Sequence, residues 1–282
     1  MATVDTVPIR ELLRDLDLRP SKALGQHFLH DQKIVHRIAE LAGLGHGDLV
    51  VEIGPGLGVL TRALAARAGR VIAIELDARL AEYLRRQFAG TNVEIVHDDA
   101  LAVDYAELTG GQPYQVVANL PYSVATAIIE RLLAGEHPPA RLVVMVQREV
   151  AERLAARPPD MALLSVAAQF YATPRIAFRI GTGAFVPPPK VESAVIVLER
   201  RAETPLPREE HAPFFQMVRA GFAQRRKQLA NALAAGLGLP KQTVEAALVA
   251  AGIDPGRRAE TLSLEEWVNV YQALRKQVHH AD

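Results

Sequence analysis

Two rhythms of apolar and polar positions divide this chain. Over its first two-thirds, short, largely apolar runs recur at Leu49 to Ile53, Val71 to Ile74, Val93 to Val96, Gln115 to Ala118 and Leu142 to Val146, each of a length that suits a buried strand. Between them, around residues 58–68, 77–88 and 124–134, apolar positions fall three and four apart and predict helices. Strands alternating with helices predict an α/β chain with a doubly wound, mainly parallel sheet. Two helices are predicted ahead of the sheet. One covers Pro8 to Leu18, with Ile9, Leu12, Leu13 and Leu16 on its apolar face; the other is capped by Asp31 and carries Ile34, Val35, Ile38 and Leu41. The segment joining them, which includes Gly25 to Leu29, reads as a loop with one buried aromatic. Further on, Met161 to Tyr171 reads as a helix, Arg175 to Ile180 as a strand, and Ser193 to Leu198 as a strongly β-forming run that would close the sheet.

The second rhythm begins after Arg200 to Pro207, a polar linker with two prolines. Everything beyond it is helical in period, at about 208–223, 225–235, 241–251 and 263–277. Domains are therefore expected at residues 1–203, the sheet with an N-terminal helical extension, and 204–282, a small all-helical domain. The sharpest feature of the latter is Arg225, Arg226 and Lys227 at a helix start, where the dipole mildly disfavours cations. Phosphate contact is one reason for such a cluster; a solvated basic face is the other.

In a doubly wound sheet, ligands sit outside the carboxyl ends of the strands, so the residues directly after each run carry the information. The first run leads into Gly54, Pro55, Gly56, Leu57 and Gly58, a turn that lets a ligand approach the main chain closely. Its G-x-G-x-G spacing has Val59 where a dinucleotide site would place a third glycine. Glu75 ends the second run, where a carboxylate can accept from ribose hydroxyls. Asp99 follows the third, either as an acceptor for an exocyclic amine or as a solvated loop residue. Asn119, Leu120, Pro121 and Tyr122 follow the fourth; this stiff turn can aim an amide oxygen, a main-chain carbonyl and a ring face at one planar ligand, although a plain β-turn also fits. Pro187 to Pro189 favour an extended segment that would fix Phe185 in place, while the commoner fate of such a residue is the core.

Composition narrows the field further. With no cysteine, the chain has no disulfide, thiol nucleophile or cysteine-type zinc site, and its nine histidines show no metal-ligand spacing, so no metal is expected. No apolar run approaches a membrane span and the N-terminus lacks a secretion-signal layout; a cytoplasmic protein is expected. The 32 basic and 32 acidic residues leave no global field to attract nucleic acid, so any such contact must be local.

Together these motifs resemble the class I S-adenosylmethionine-dependent methyltransferases, whose sheet is seven-stranded and Rossmann-like. More closely, the chain is similar to the KsgA family of small-subunit rRNA adenine dimethyltransferases. The resemblance runs through GQHFL (25–29), EIGPGLGVLT (52–61), IELD (74–77), DDAL (98–101), NLPY (119–122), QREVAERL (147–154), FVPPPKVESAV (185–195), FAQRRKQLANAL (222–233) and GIDPGRRAETLSL (252–264). It implies a site for S-adenosyl-L-methionine: Gly54 under the methionine portion, Glu75 on the ribose, Asp99 at the adenine amine, Asn119 serving cofactor and substrate, and the main chain near His27 and Leu29 folded over it. His27 stands where the family commonly has asparagine. The resemblance further implies that Asn119 Oδ1 and the Leu120 carbonyl accept from an adenine N6 amine while Tyr122 and Phe185 sandwich the base, with Arg225, Arg226 and Lys227 gripping RNA phosphates. The expected product is dimethyladenosine at two adjacent positions of a 16S rRNA loop, made by a monomer on an assembling subunit. Two rivals differ in substrate or class: a large-subunit rRNA adenine methyltransferase of the same fold, and a non-catalytic assembly factor. A dehydrogenase fits least, given the glycine spacing.

Overall fold

The computed structural model describes Glu11, Leu13, Arg14, residues 27–224 and residues 226–279. The expected helix over Pro8 to Leu18 lies largely outside these, as do Gly25, Gln26 and Arg225. By internal contacts the chain forms two compact units, one of residues up to Ala151 with Pro174–Arg200, the other of Glu152–Thr173 with residues from Arg201 onward.

The strands are β1 (Phe28–Leu29), β2 (Leu49–Ile53), β3 (Arg70–Glu75), β4 (Val93–His97), β5 (Gln115–Asn119), β6 (Arg141–Gln147), β7 (Ala172–Ile180), β8 (Phe185–Val186) and β9 (Ser193–Arg200). Seven of them make one sheet in the order β4-β3-β2-β5-β6-β9-β7, and β1 pairs with β8 apart from it. From β4 to β6 all pairs are parallel, and β9 runs antiparallel to β6. The five residues of β2 are all buried, as an apolar run covered on both faces requires. One expectation is refined here. The run at Ser193 lies next to last, between β6 and β7, and β7 forms the edge.

The chain lays down β2, β3 and β4 in one direction and then returns to place β5 on the other side of β2. This reversal opens a crevice between the carboxyl ends of β2 and β5, the place where open α/β sheets bind ligands. Helices α1 (Gln32–Ala42), α2 (Val59–Ala65), α3 (Ala78–Gln87), α4 (Tyr105–Thr109) and α5 (Ala125–Ala134) make the connections. Asp31, Asp77 and Asp104 cap α1, α3 and α4, each accepting two backbone N–H groups of the first turn.

After α6 (Arg148–Leu154), the second unit packs α7 (Leu163–Tyr171), α8 (His211–Phe222), α9 (Leu229–Leu237), α10 (Lys241–Ala250) and α11 (Leu264–His279) around Phe170, Phe214, Leu233, Leu248 and Trp267. The packing is close: a Cβ at Gly221 would stand 2.4 Å from the Trp267 ring. Arg226 and Lys227 lie exposed in the turn before α9, which starts at Leu229, later than its apolar period suggests.

Candidate functional site

The crevice is a cavity of about 320 Å³, and the strand-end residues singled out from sequence line it together: His27, Leu29, Gly54, Glu75, Asp99, Asn119, Leu120, Pro121 and Tyr122. Its floor is the turn after β2. Gly56 and Gly58 have φ of 58° and 78°, where a side chain is strained, and a Cβ on them would come within 3.0 Å of the Phe28 ring and 2.8 Å of the Phe88 ring. Gly54 and Gly56 thus present bare backbone to the cavity beside Pro55 and Leu57, while Gly58, outside the lining, is required by the packing of Phe88. Pro121 lies against Gly54, within 3.5 Å of where its Cβ would be, so the two turns support each other.

Glu75 joins the second strand end to this floor. Its Oε2 accepts from the Gly56 N–H at 3.1 Å and its Oε1 from the Asp77 N–H at 3.0 Å, and the side chain is only 5% exposed. Burial pushes its pKa up, and the two backbone N–H groups pull the other way by favouring the carboxylate. Each oxygen keeps a second lone pair for a hydroxyl donor. Asp99 is exposed and uses Oδ1 to accept from the Leu101 N–H at 2.8 Å, a local turn bond that leaves Oδ2 for a ligand.

At the fourth strand end, Asn119 Nδ2 donates to the His27 carbonyl at 3.2 Å. That bond fixes the amide plane and commits its donor half, so Oδ1 is the half left to accept. Leu120 is 1% exposed and is anchored by its own N–H to the Met145 carbonyl at 3.1 Å. Tyr122 is half-buried, its hydroxyl sharing a 2.5 Å hydrogen bond with Ser193 Oγ at the start of β9. Its ring faces that of His27 at 5.4 Å and 31°, and His27 Nδ1 donates to the Pro187 carbonyl at 2.8 Å. The histidine therefore contributes its main chain to Asn119 and its ring to Tyr122.

Phe185 does not join them. In β8, opposite Leu29 of β1, it is 2% exposed and packs in the core with Ile180, Val195 and Val197, and it is absent from the cavity lining. Of its two readings, the structure gives the core position. Arg226 and Lys227 belong to the other unit and are not among the lining residues. Among the polar residues at the site to which the sequence reading gave no role are Ser193 and Glu52. Ser193 had no signal beyond its place in a motif. Glu52 had one: it is the single charged residue in an otherwise apolar strand. It lines the cavity 1% exposed, its Oε2 has no hydrogen-bond partner, and burial raises its pKa to about 8.

A parallel sheet of this order, with its ligand cavity at the reversal of strand order, has the class I methyltransferase fold. The chain belongs to the ribosomal RNA adenine dimethylase family, whose model matches residues 18–276. It is 46% identical over 260 residues to ribosomal RNA small subunit methyltransferase A of Dehalococcoides mccartyi, covering 92% of this chain and 89% of that one. Among solved structures it is similar to the 23S rRNA methyltransferase ErmE, with 32% identity, a TM-score of 0.72 and coverage of 88% of this chain and 99% of that chain. A dimethyladenosine transferase from Plasmodium falciparum shares the fold at 22% identity and a TM-score of 0.77, covering 89% and 98% of the two chains.

Proposed function

We propose that this protein is an rRNA adenine N6-dimethyltransferase that methylates two adjacent adenosines in a loop of small-subunit rRNA during subunit assembly, with S-adenosylmethionine as methyl donor. The observation that carries the reading is the orientation of Asn119. With Nδ2 spent on the His27 carbonyl, its Oδ1 is held beside the rigid Leu120–Pro121 turn as an acceptor. An adenine N6 amine needs such acceptors, because its lone pair is delocalised into the ring. Hydrogen bonds from N6–H to Asn119 Oδ1 and the Leu120 carbonyl hold the nitrogen towards tetrahedral geometry and return the lone pair to it. Tyr122, braced by Ser193 and His27, offers its ring to the base, a contact worth about 1–3 kcal/mol once the base is out of its stack.

The cavity fits the methyl donor. Bare backbone at Gly54–Gly56 admits a chain close to the main chain, Glu75 keeps lone pairs for ribose hydroxyls, and Asp99 Oδ2 suits an adenine amine. S-adenosylmethionine, when bound there, supplies an electrophilic methyl group. Small-subunit rRNA is favoured over large-subunit rRNA because the relative named for the small subunit is 46% identical and the 23S enzyme 32%. A substrate assembled in the cytoplasm puts the protein there too, and Arg226 and Lys227, with Arg225, supply phosphate contacts. The test is to incubate the protein with S-adenosylmethionine and either immature small or large subunits, then digest the rRNA to nucleosides. Dimethyladenosine in 16S rRNA alone is the expected result; dimethyladenosine in 23S rRNA, or none in either, would overturn the reading.

A further inference from the structure

Glu52 is a buried carboxyl with one oxygen that meets no hydrogen-bond donor, the Thr61 hydroxyl being the neighbouring group that favours its charged form. It is 1% exposed in the middle of the sheet, and Oε2 meets no donor. The neighbouring Thr61 hydroxyl, equally buried, has no partner of ideal geometry either. Across the β2–β3 ladder Glu52 is in register with Ala73, so Glu75, two residues on along β3 and on the same face, is its diagonal neighbour and, on top of burial, raises its pKa by charge. The two differ in support: Glu75 accepts from two backbone N–H groups and Glu52 from none. Two carboxyls so placed do not both ionise readily without a nearby cation.

No cation is supplied by the cavity itself. Its titratable lining is His27, Glu52, Glu75, Asp98, Asp99 and Tyr122, with no lysine or arginine among the lining residues. Among the described residues, then, no permanent positive charge lines the cavity, and a sulfonium ligand would bring one. At an effective dielectric of about 20, a unit charge about 4 Å from a carboxylate is worth about 4 kcal/mol, enough to move a proton.

We propose that Glu52 is the charge sensor of the cofactor cavity: a neutral acid by default, it releases its proton to solvent when a sulfonium ligand binds and regains it when that ligand is replaced by the uncharged thioether. This rests on the reading that the cavity takes S-adenosylmethionine. The consequence is discrimination between the methyl donor and the spent product, which differ by one methyl and one charge, at a site that must exchange them once per methyl transferred. Burial holds the Glu52 carboxyl protonated up to about pH 8, with the Glu75 charge adding to the effect and Thr61 opposing it. Because the free protein holds the proton and the complex does not, affinity for the sulfonium ligand rises with pH, about tenfold per unit at most, and levels off near pH 8.

Calorimetric titration in two buffers of different ionisation enthalpy, near neutral pH, counts protons exchanged on binding. S-adenosylmethionine and S-adenosylhomocysteine are compared in the parent and in Glu52→Gln, an uncharged near-isostere in which any proton exchanged by the ligands' own amines is still counted. The parent should release most of one proton more for the sulfonium ligand than for the thioether. Glu52→Gln should show no such excess, and should bind the two ligands with a preference for the sulfonium about tenfold weaker than the parent's. Equal counts for both ligands in the parent, or an excess that persists in Glu52→Gln, would overturn the proposal while leaving the cofactor assignment intact. Failure of the parent to bind either ligand would overturn that assignment and this inference with it. Should Glu52→Gln not fold, Glu52→Met serves as the uncharged variant in the same two-buffer comparison, and an excess that persists in it overturns the proposal equally.

Discussion

The turn after β5 and the short strand β8 each carry one aromatic residue of the family's motifs, and the two end in opposite surroundings. Tyr122 lines the cavity half-buried, its hydroxyl tied to Ser193 and its ring facing His27. Phe185 is 2% exposed and packs in the core behind β1. The difference lies in what each is attached to. Tyr122 follows a central strand whose register with β6 is complete to Asn119–Met145, and a proline stiffens the step between. Phe185 sits in a two-residue strand whose only described pairing is with β1, and that pairing places it against an apolar cluster that includes Leu29. Of these two motif aromatics, the one that reaches the cavity is the one that rigid backbone keeps out of the core.

Replacing Tyr122 with leucine should make the largest difference between the two sites. It removes a stacking face worth about 1–3 kcal/mol, so kcat/KM for methyl transfer by the folded fraction should fall about 10- to 100-fold, beside a modest drop in melting temperature from the lost bond to buried Ser193. A variant that melts early yet transfers normally once folded would show the ring to be structural. Phe185→Leu should do the reverse. A similarly sized apolar replacement in the core costs about 1.5 kcal/mol or less, to be seen in denaturant unfolding, with transfer by the folded fraction close to the parent's. Abolished transfer at unchanged stability would mean that Phe185 leaves the core to meet the base, and the contrast would fail. The smallest effect is expected in the other unit. Arg226→Ala with Lys227→Ala should weaken binding to small subunits without altering S-adenosylmethionine affinity. The slope of log affinity against log salt should become shallower by about one for each phosphate that the missing cations neutralised. An unchanged salt slope would leave those cations as a solvated surface.

Much of the site was legible because its residues are punctuation. Glycines at 54, 56 and 58 and Pro121 mark turns by the conformations they allow, and the apolar runs before them mark strands, so the amino-acid pattern alone puts Gly54, Glu75, Asp99 and Asn119 at one edge of the sheet. What escaped depends on neighbours distant in sequence. The place of β9 inside the sheet follows from its antiparallel pairing with β6, which no local pattern encodes. The short helices α4 and α6 are too brief for a clear period. Helix α9 starts after Gln228, whose extended backbone (φ −62°, ψ 148°) sets the boundary and leaves Arg226 and Lys227 in the preceding turn. Glu52 shows the limit from the other side: a lone acid in an apolar strand is visible in the sequence, but its want of a partner is not.

The orientation of Asn119 is the claim on which the chemistry stands, and Asn119→Ala tests it most directly. Methyl transfer from labelled S-adenosylmethionine to immature small subunits would be followed for parent and variant, with the product nucleoside identified and subunit binding measured alongside. Dimethyladenosine made by the parent, and a rate about 100- to 1,000-fold lower in the variant with subunit binding retained, is the result this geometry predicts. Transfer by the variant within a few-fold of the parent would contradict it, since the amine would then need no acceptor at that position.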